Sequence, residues 1–357
     1  MLPRIAHDWP PIPARLRVQP EDFVVEEIPA YEPAGYGKHT FLRLTKRGLT
    51  TAAVRERLAA AFGVQPEDIG IAGLKDRHAV TTQTISVPWP DPDEALRRAQ
   101  AVLPEVTFHW ARAHPHKLRT GHLRGNRFRI LARDVPPDGL ARAQAIAAHL
   151  RAVGVPNYYG PQRFGREGDN PTRGRAVLQG RGPRKKWLRL LLISAYQAAL
   201  FNCYLGRRVA AGLFTRLLRG DIAKKADTGG MFVVQDSEAE YARYRRGEIH
   251  FTGPIFGYKM WRAEADAGAL EASILAAEGL TWEDFRRARV KGTRRLGRVW
   301  LADLEVAPGP EPRTLQFVFT LPKGAYATTV LREFFGDAAV GFGLVSEVAA
   351  CRQVLNQ

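Results

Sequence analysis

The run Gly73-Leu74-Lys75-Asp76-Arg77-His78-Ala79 sets one carboxylate between two cations. A glycine opens it and a stretch rich in β-branched residues, Val80–Val87, follows, so it reads as a loop entering a sheet. Reactive side chains are commonly presented on such loops. The flanking charges favour an ionised Asp76, available near neutral pH as a nucleophile or a base. A solvated charged turn would show the same pattern.

Two further segments could do chemistry. His116-Lys117-Leu118-Arg119 leads into Gly121-His122-Leu123-Arg124-Gly125-Asn126-Arg127-Phe128-Arg129, where cations alternate with an aromatic ring and small residues. Cations suit phosphate, Gly125 permits close backbone approach, Phe128 could stack on a base, and Asn126 carries the donor and acceptor needed to read a base edge. An edge strand with a basic outer face and Phe128 in the core is the competing reading. Asn157-Tyr158-Tyr159-Gly160-Pro161-Gln162-Arg163-Phe164-Gly165 forms a stiff turn where composition changes, either a binding site at a domain junction or a hinge.

Other chemistries find little support. His114, His116 and His122 lie close in sequence, yet no further ligand or supporting acid accompanies them, so no metal site is expected. There is no Gly-x-x-x-x-Gly-Lys-Ser/Thr run, no Gly-x-Ser-x-Gly elbow and no nicotinamide fingerprint. Chemistry without a cofactor is what remains.

Charge names the partner class. Lysine and arginine number 53 against 36 acidic residues, a formal net charge of +17 over 357 residues. Such a surplus binds and steers polyanions, nucleic acid foremost, although an anionic membrane would be attracted as well. The stretch Leu190–Leu205 is the most apolar, but Ser194, Gln197 and Asn202 interrupt it, and it reads as a buried helix rather than a span. Two cysteines, Cys203 and Cys351, show no paired framework; with no apolar leader in Met1–Leu16, a reducing, cytoplasmic setting is expected. No obligate protein partner is evident.

The elements that must hold these residues follow from periodicity. Asp22–Ile28, Thr40–Leu44, Val80–Val87 and Phe128–Ala132 read as strands, and Thr51–Phe62, with Thr50 or Thr51 as N-cap, as a helix. Leu140, Ala143, Ile146, Ala147 and Leu150 predict a helix over Gly139–Val153. A mainly helical stretch follows, with helices over Trp187–Leu205, Ser237–Arg246 and Ala265–Glu278 and basic clusters at Arg181–Lys186 and Arg286–Arg298. Strand chemistry returns at Val299–Val306 and Leu315–Leu321. Strands on both sides of a helical middle predict a discontinuous α+β domain, residues 1–155 plus 303–357, interrupted by an inserted domain over 156–302.

Taken in order, six segments resemble the TruD family of tRNA pseudouridine synthases: Pro20–Glu27, Gly73–Ala79, Lys117–Phe128, Asn157–Gly165, Ser194-Ala195-Tyr196-Gln197 with Leu200-Phe201-Asn202, and Leu321–Thr328. The resemblance implies a catalytic domain with a mixed, largely antiparallel sheet, split by an α-rich insertion. It implies that Asp76 is the catalytic aspartate, with Lys75 its active-site neighbour, and that Phe23, Asn126 and Phe128 line a uridine pocket. Tyr326 stands where many relatives have phenylalanine, so its hydroxyl needs a partner if buried. Arg17, six residues before Phe23 where relatives often have lysine, is expected to pair with Asp76 and hold it oriented and charged.

The implied reaction converts a uridine of tRNA, position 13 by family, to pseudouridine, with the base flipped out of its stack and no metal or organic cofactor. Two rivals stay open: a non-catalytic RNA-binding or chaperone-like protein that keeps the same pocket, and a hydrolase in which Glu26 or Glu27 supplies a second carboxylate.

Overall fold

Alternating patterns in the first third of the chain resolve into one sheet. In a computed structural model, which describes residues 2–165, 167–341 and 351, the strands are β1 Arg15–Leu16, β2 Phe23–Pro29, β3 His39–Arg47, β4 Gly70–Ile71, β5 Val80–Val87, β6 Thr107–His114 and β7 Leu123–Arg133. Later strands are β8 Val155–Pro156, β9 Ile222–Lys225, β10 Met231–Val233, β11 Ile249–Ile255, β12 Thr293–Leu296, β13 Arg298–Val299, β14 Glu305–Pro308 and β15 Leu315–Pro322. The helices are α1 Thr51–Phe62, α2 Pro92–Val102, α3 Gly139–Val153, α4 Asn170–Leu178, α5 Lys186–Ala210, α6 Tyr241–Arg245, α7 Ala265–Ala277, α8 Trp282–Arg287 and α9 Ala327–Val340.

The chain divides into two compact units. One comprises Pro13–Ala141 with Asp303–Gly324; the other comprises the described residues of Met1–Ile12, Arg142–Ala302 and Ala325–Gln357. The units change over at residues 12/13, 141/142, 302/303 and 324/325. The first helical turn of α3 marks one change, and the described residues before Pro13 and after Gly324 belong to the helical unit.

The first unit is built on a nine-stranded sheet ordered β14-β15-β7-β2-β5-β3-β6, with β1 beside β7 and β4 beside β5. Only β2 and β5 run parallel; every other pairing is antiparallel, giving the mixed sheet expected. Helices α1 and α2 cover one face of β3 and β5, where Leu42, Leu44, Ile85 and Val87 meet Val54, Leu58, Ala95 and Ala99. Full burial of a leucine such as Leu58 contributes roughly 2 kcal/mol. Helix α1 begins where the Thr50 hydroxyl accepts the Ala53 amide at 3.0 Å and ends at Gly63 in the left-handed region, so Thr50, not Thr51, is the cap.

The second unit centres on the 25-residue helix α5. That helix is long and apolar enough to cross a membrane, but most of its apolar window is buried within the protein. Inside the unit, the fully buried Arg208 binds Asp221 with two bonds of 2.6 and 2.7 Å, so a charge deep in the core is matched. The helical middle also contains a four-stranded antiparallel sheet, β10-β9-β11-β12, which the sequence reading did not foresee.

Several expectations change. The Lys117–Phe128 segment does not end in an edge strand: β7 lies between β15 and β2. The Ser237–Arg246 helix shrinks to the five residues of α6. Val299–Val306 is broken between β13 and β14, and helix α2 and strand β6 were not anticipated. Cys203 and Cys351, read as unpaired thiols, form a disulfide across 148 residues of chain. No spacing rule signals such a pair, because the fold alone brings the two positions together.

Candidate active site

Asp76 sits on the loop between β4 and β5, and neighbouring elements hold that loop by its backbone. The Lys75 amide donates to the Thr51 hydroxyl at 3.0 Å, and that hydroxyl donates to Gln83 Oε1 at 3.0 Å. Lys46, on β3 and fully buried, donates through Nζ to the carbonyls of Leu49 at 2.6 Å and of Asp76 itself at 3.0 Å. Burial pushes the Lys46 ammonium down to about 8; the nearby Asp76 charge opposes this and Lys75 adds to it.

The cations adjacent in sequence are not the ones that face the carboxylate. Lys75 turns into the sheet, where its ammonium lies 2.7 Å from the fully buried Glu27 Oε2, while Glu27 Oε1 accepts the Thr84 amide at 3.1 Å. Arg77 donates to the Gly48 carbonyl at 3.2 Å. Arg17 is what reaches Asp76, with 3.5 Å between guanidinium nitrogen and Oδ2. Its backbone takes a left-handed conformation at φ 55°, and its guanidinium lies 3.9 Å from the centre of the Phe23 ring. The Asp76 side chain is 45% exposed, so it is presented rather than enclosed by its own unit.

Strand alternation places the remaining groups on one sheet face. The register pairs Phe23 with Ile130, Val25 with Phe128, and Glu27 with Asn126. Phe23 meets Phe128 edge-on at 6.0 Å, and Phe128 stacks on Phe319 at 5.4 Å. Both Phe23 and Phe128 are nearly inaccessible. The buried Asn126 Oδ1 has no hydrogen-bond partner among the described residues, which leaves an acceptor for an incoming N–H. A hollow of about 400 Å³ is lined by Val24, Glu26, Arg127, Phe128, Arg129, Gln316 and Val318.

The Asp76 carboxylate thus lies on a loop pinned to the sheet, beside an arginine stacked on Phe23. The family model for tRNA pseudouridine synthase D, TruD, matches residues 4–184 and 184–334. The chain belongs to the TruD family. It is 48% identical over 335 residues to a tRNA pseudouridine synthase D of Thermus thermophilus, spanning 93% of this chain and 91% of that one. A relative of the same name from an Anaeromyxobacter species is 46% identical over 349 residues, spanning 94% and 97%. A crystal structure titled as a putative TruD of Methanosarcina mazei superposes with a TM-score of 0.77 at 24% identity, covering 92% and 94% of the two chains, and so shares the fold.

Against this TruD frame, the structure gathers Arg17, Phe23, Lys75, Asp76, Asn126 and Phe128 in one unit. Lys75 supports the loop through Glu27 instead of flanking the carboxylate, and Phe128 is buried, packed on Phe23 and Phe319. Glu27 is committed to Lys75, and Glu26 to Arg43 at 3.1 Å, so neither is placed as the second carboxylate of a hydrolase. Tyr326 belongs to the other unit. There its ring lies 6.1 Å from Tyr159, whose own face carries Arg295 at 4.0 Å. Burial raises the Tyr326 phenol above its usual range.

The Asn157–Gly165 turn is therefore part of an aromatic and arginine cluster, and Asn202 secures it with bonds of 2.8 and 3.0 Å to the Tyr159 backbone. Of the histidines, His122 accepts or donates at 2.8 Å with the Tyr31 hydroxyl, and His114 stacks on the Tyr31 ring. Lys46 is the contributor that sequence reasoning missed, and Glu27 entered it only as a hydrolase's second carboxylate, not as the partner of Lys75. A lysine or glutamate inside an alternating strand is ordinarily solvated, and only the tertiary neighbours show that these two are buried.

Proposed function

We propose that this protein, a tRNA pseudouridine synthase by family, isomerises one uridine of tRNA with Asp76 as the nucleophile. The observation that carries the reading is the Asp76 carboxylate held 3.5 Å from Arg17 on a loop whose own carbonyl is bound by Lys46. In the reaction the N1–C1′ bond breaks and a C5–C1′ bond forms, C5 loses its proton and N1, which carried none in uridine, gains one. The carboxylate serves either by adding to C6 of uracil or by attacking C1′ of the ribose. Arg17 keeps it charged and aimed. Asn126 Oδ1, an unpartnered acceptor, suits an N–H on the uracil edge.

The scheme needs the target base out of its stack, at a cost of a few kcal/mol that stacking and phosphate contacts offset. It employs no metal or organic cofactor. Position 13 of tRNA is the target uridine we propose, in the cytoplasm, and the net charge of +17 supports a salt-sensitive grip on the RNA.

Release of tritium from tRNA carrying 5-tritiated uridine tests this. Asp76→Asn should bind tRNA as the wild type does and release none; full release by that variant would end the assignment. A wild type that binds but releases nothing would favour the non-catalytic RNA-binding reading.

A further inference from the structure

The two basic runs that the proposed chemistry leaves unused converge in the helical unit. Trp187 lies in the first turn of helix α5, directly after Arg184, Lys185 and Lys186, and with Leu190 and Leu191 it lines a hollow of about 670 Å³ whose other wall carries Arg289, Val290 and Lys291. Trp187 is 65% exposed, Leu190 55% and Leu191 44%, although the same helix is buried from Leu192 onward. Bare apolar surface of this kind marks an interaction site.

Charge selects the occupant. No carboxylate lines the hollow. The side chains of Arg184, Lys185, Lys186, Arg289 and Lys291 are exposed and enter no ion pair among the described residues. Two copies of the chain meeting symmetrically through this face would set those cations against their own counterparts. A polyanion that also carries flat apolar rings satisfies both the cations and the tryptophan, and single-stranded RNA is such a molecule. A concave wall bearing one open indole accommodates a splayed base better than it does a lipid surface.

We infer that this hollow is a second RNA-binding site, in which an unstacked base of the substrate lies on Trp187 while Lys186, Arg289 and Lys291 hold the neighbouring phosphates. The inference rests on the tRNA-modifying function proposed above. Trp187 touches no reacting atom in it, so its effect falls on substrate affinity.

Steady-state tritium release with tRNA, run on the full chain, tests the site. Trp187→Ala should raise KM about ten-fold with little change in kcat, the effect expected of one lost base stack. Trp187→Phe, which keeps an aromatic face, should recover most of that affinity. Lys291→Ala should reduce the salt slope of tRNA binding by about one. A wild type that turns over while Trp187→Ala shows unchanged KM would overturn the site. So would a Trp187→Ala protein whose tRNA affinity is intact but whose self-association or binding to phosphatidylserine vesicles is lost, since another occupant would then own the face. If the wild type turned over no tRNA, the function proposed above would fall by itself. Fluorescence titration of the same variants with oligouridine would still decide the hollow: affinity lost in Trp187→Ala supports it, and equal affinity sinks it.

Discussion

Replacing Lys46 by methionine should make the protein more stable and a poorer catalyst. Lys46 is fully buried, and its ammonium is lowered from 10.5 to about 8, mainly by burial. That displacement disfavours the charged form by about 3 kcal/mol relative to the neutral amine. Asp76 is the charge that relieves the penalty and Lys75 the one that adds to it. Methionine fills similar space without charge, while Leu49 and Asp76 lose a donor on their carbonyls. Both carbonyls belong to residues at least partly exposed, so water can replace the amine. A net gain of about 1–2 kcal/mol at pH 7 follows.

The pH dependence is sharper. Below pH 8 both folded and unfolded chains hold the proton, and the penalty is fully present. Between pH 8 and 10.5 the unfolded chain binds more protons than the folded one, so wild-type stability rises with pH by about 3 kcal/mol from this residue. The methionine variant lacks that rise. Urea unfolding of both proteins from pH 7 to 10.5 gives the difference directly, with other titrations cancelling. A difference that stays flat, or a variant less stable by more than about 2 kcal/mol at pH 7, would refute the reasoning. Turnover of the variant should fall about ten-fold, because a water replacing the ammonium satisfies the Asp76 carbonyl without fixing the nucleophile's loop in place.

Arg17→Ala should lower kcat by about ten- to a hundred-fold, the worth of a charge-assisted contact, while Arg17→Lys retains part of it; tritium release in single turnover measures both. Gly125→Ala should destabilise the first unit by about 2 kcal/mol, since a Cβ there would meet the Leu321 carbonyl on β15 far inside contact distance, and chemical denaturation reads the loss. An undisturbed midpoint would mean that β7 and β15 can part without penalty.

The local elements were legible because each rests on short-range chemistry. Thr51–Phe62 and Gly139–Val153 emerge with the bounds that apolar spacing predicts, and Val80–Val87 with those its β-branched run predicts. The Asp76 loop was legible for the same reason: a glycine, a charged run and a following strand are contiguous. Its resemblance to the TruD loop is likewise a matter of adjacent residues.

What only the tertiary structure decided depends on partners distant in the chain. Sequence adjacency put Lys75 and Arg77 beside Asp76, but side chains leave the backbone in directions that the sheet sets. Lys75 therefore answers Glu27, Arg77 answers Gly48, and Arg17 takes the place beside the carboxylate. The centrality of β7, the burial of Lys46 and the Cys203–Cys351 pair share one cause. Strand order and burial are properties of which segments meet, and a residue's own type and neighbours carry no record of that meeting.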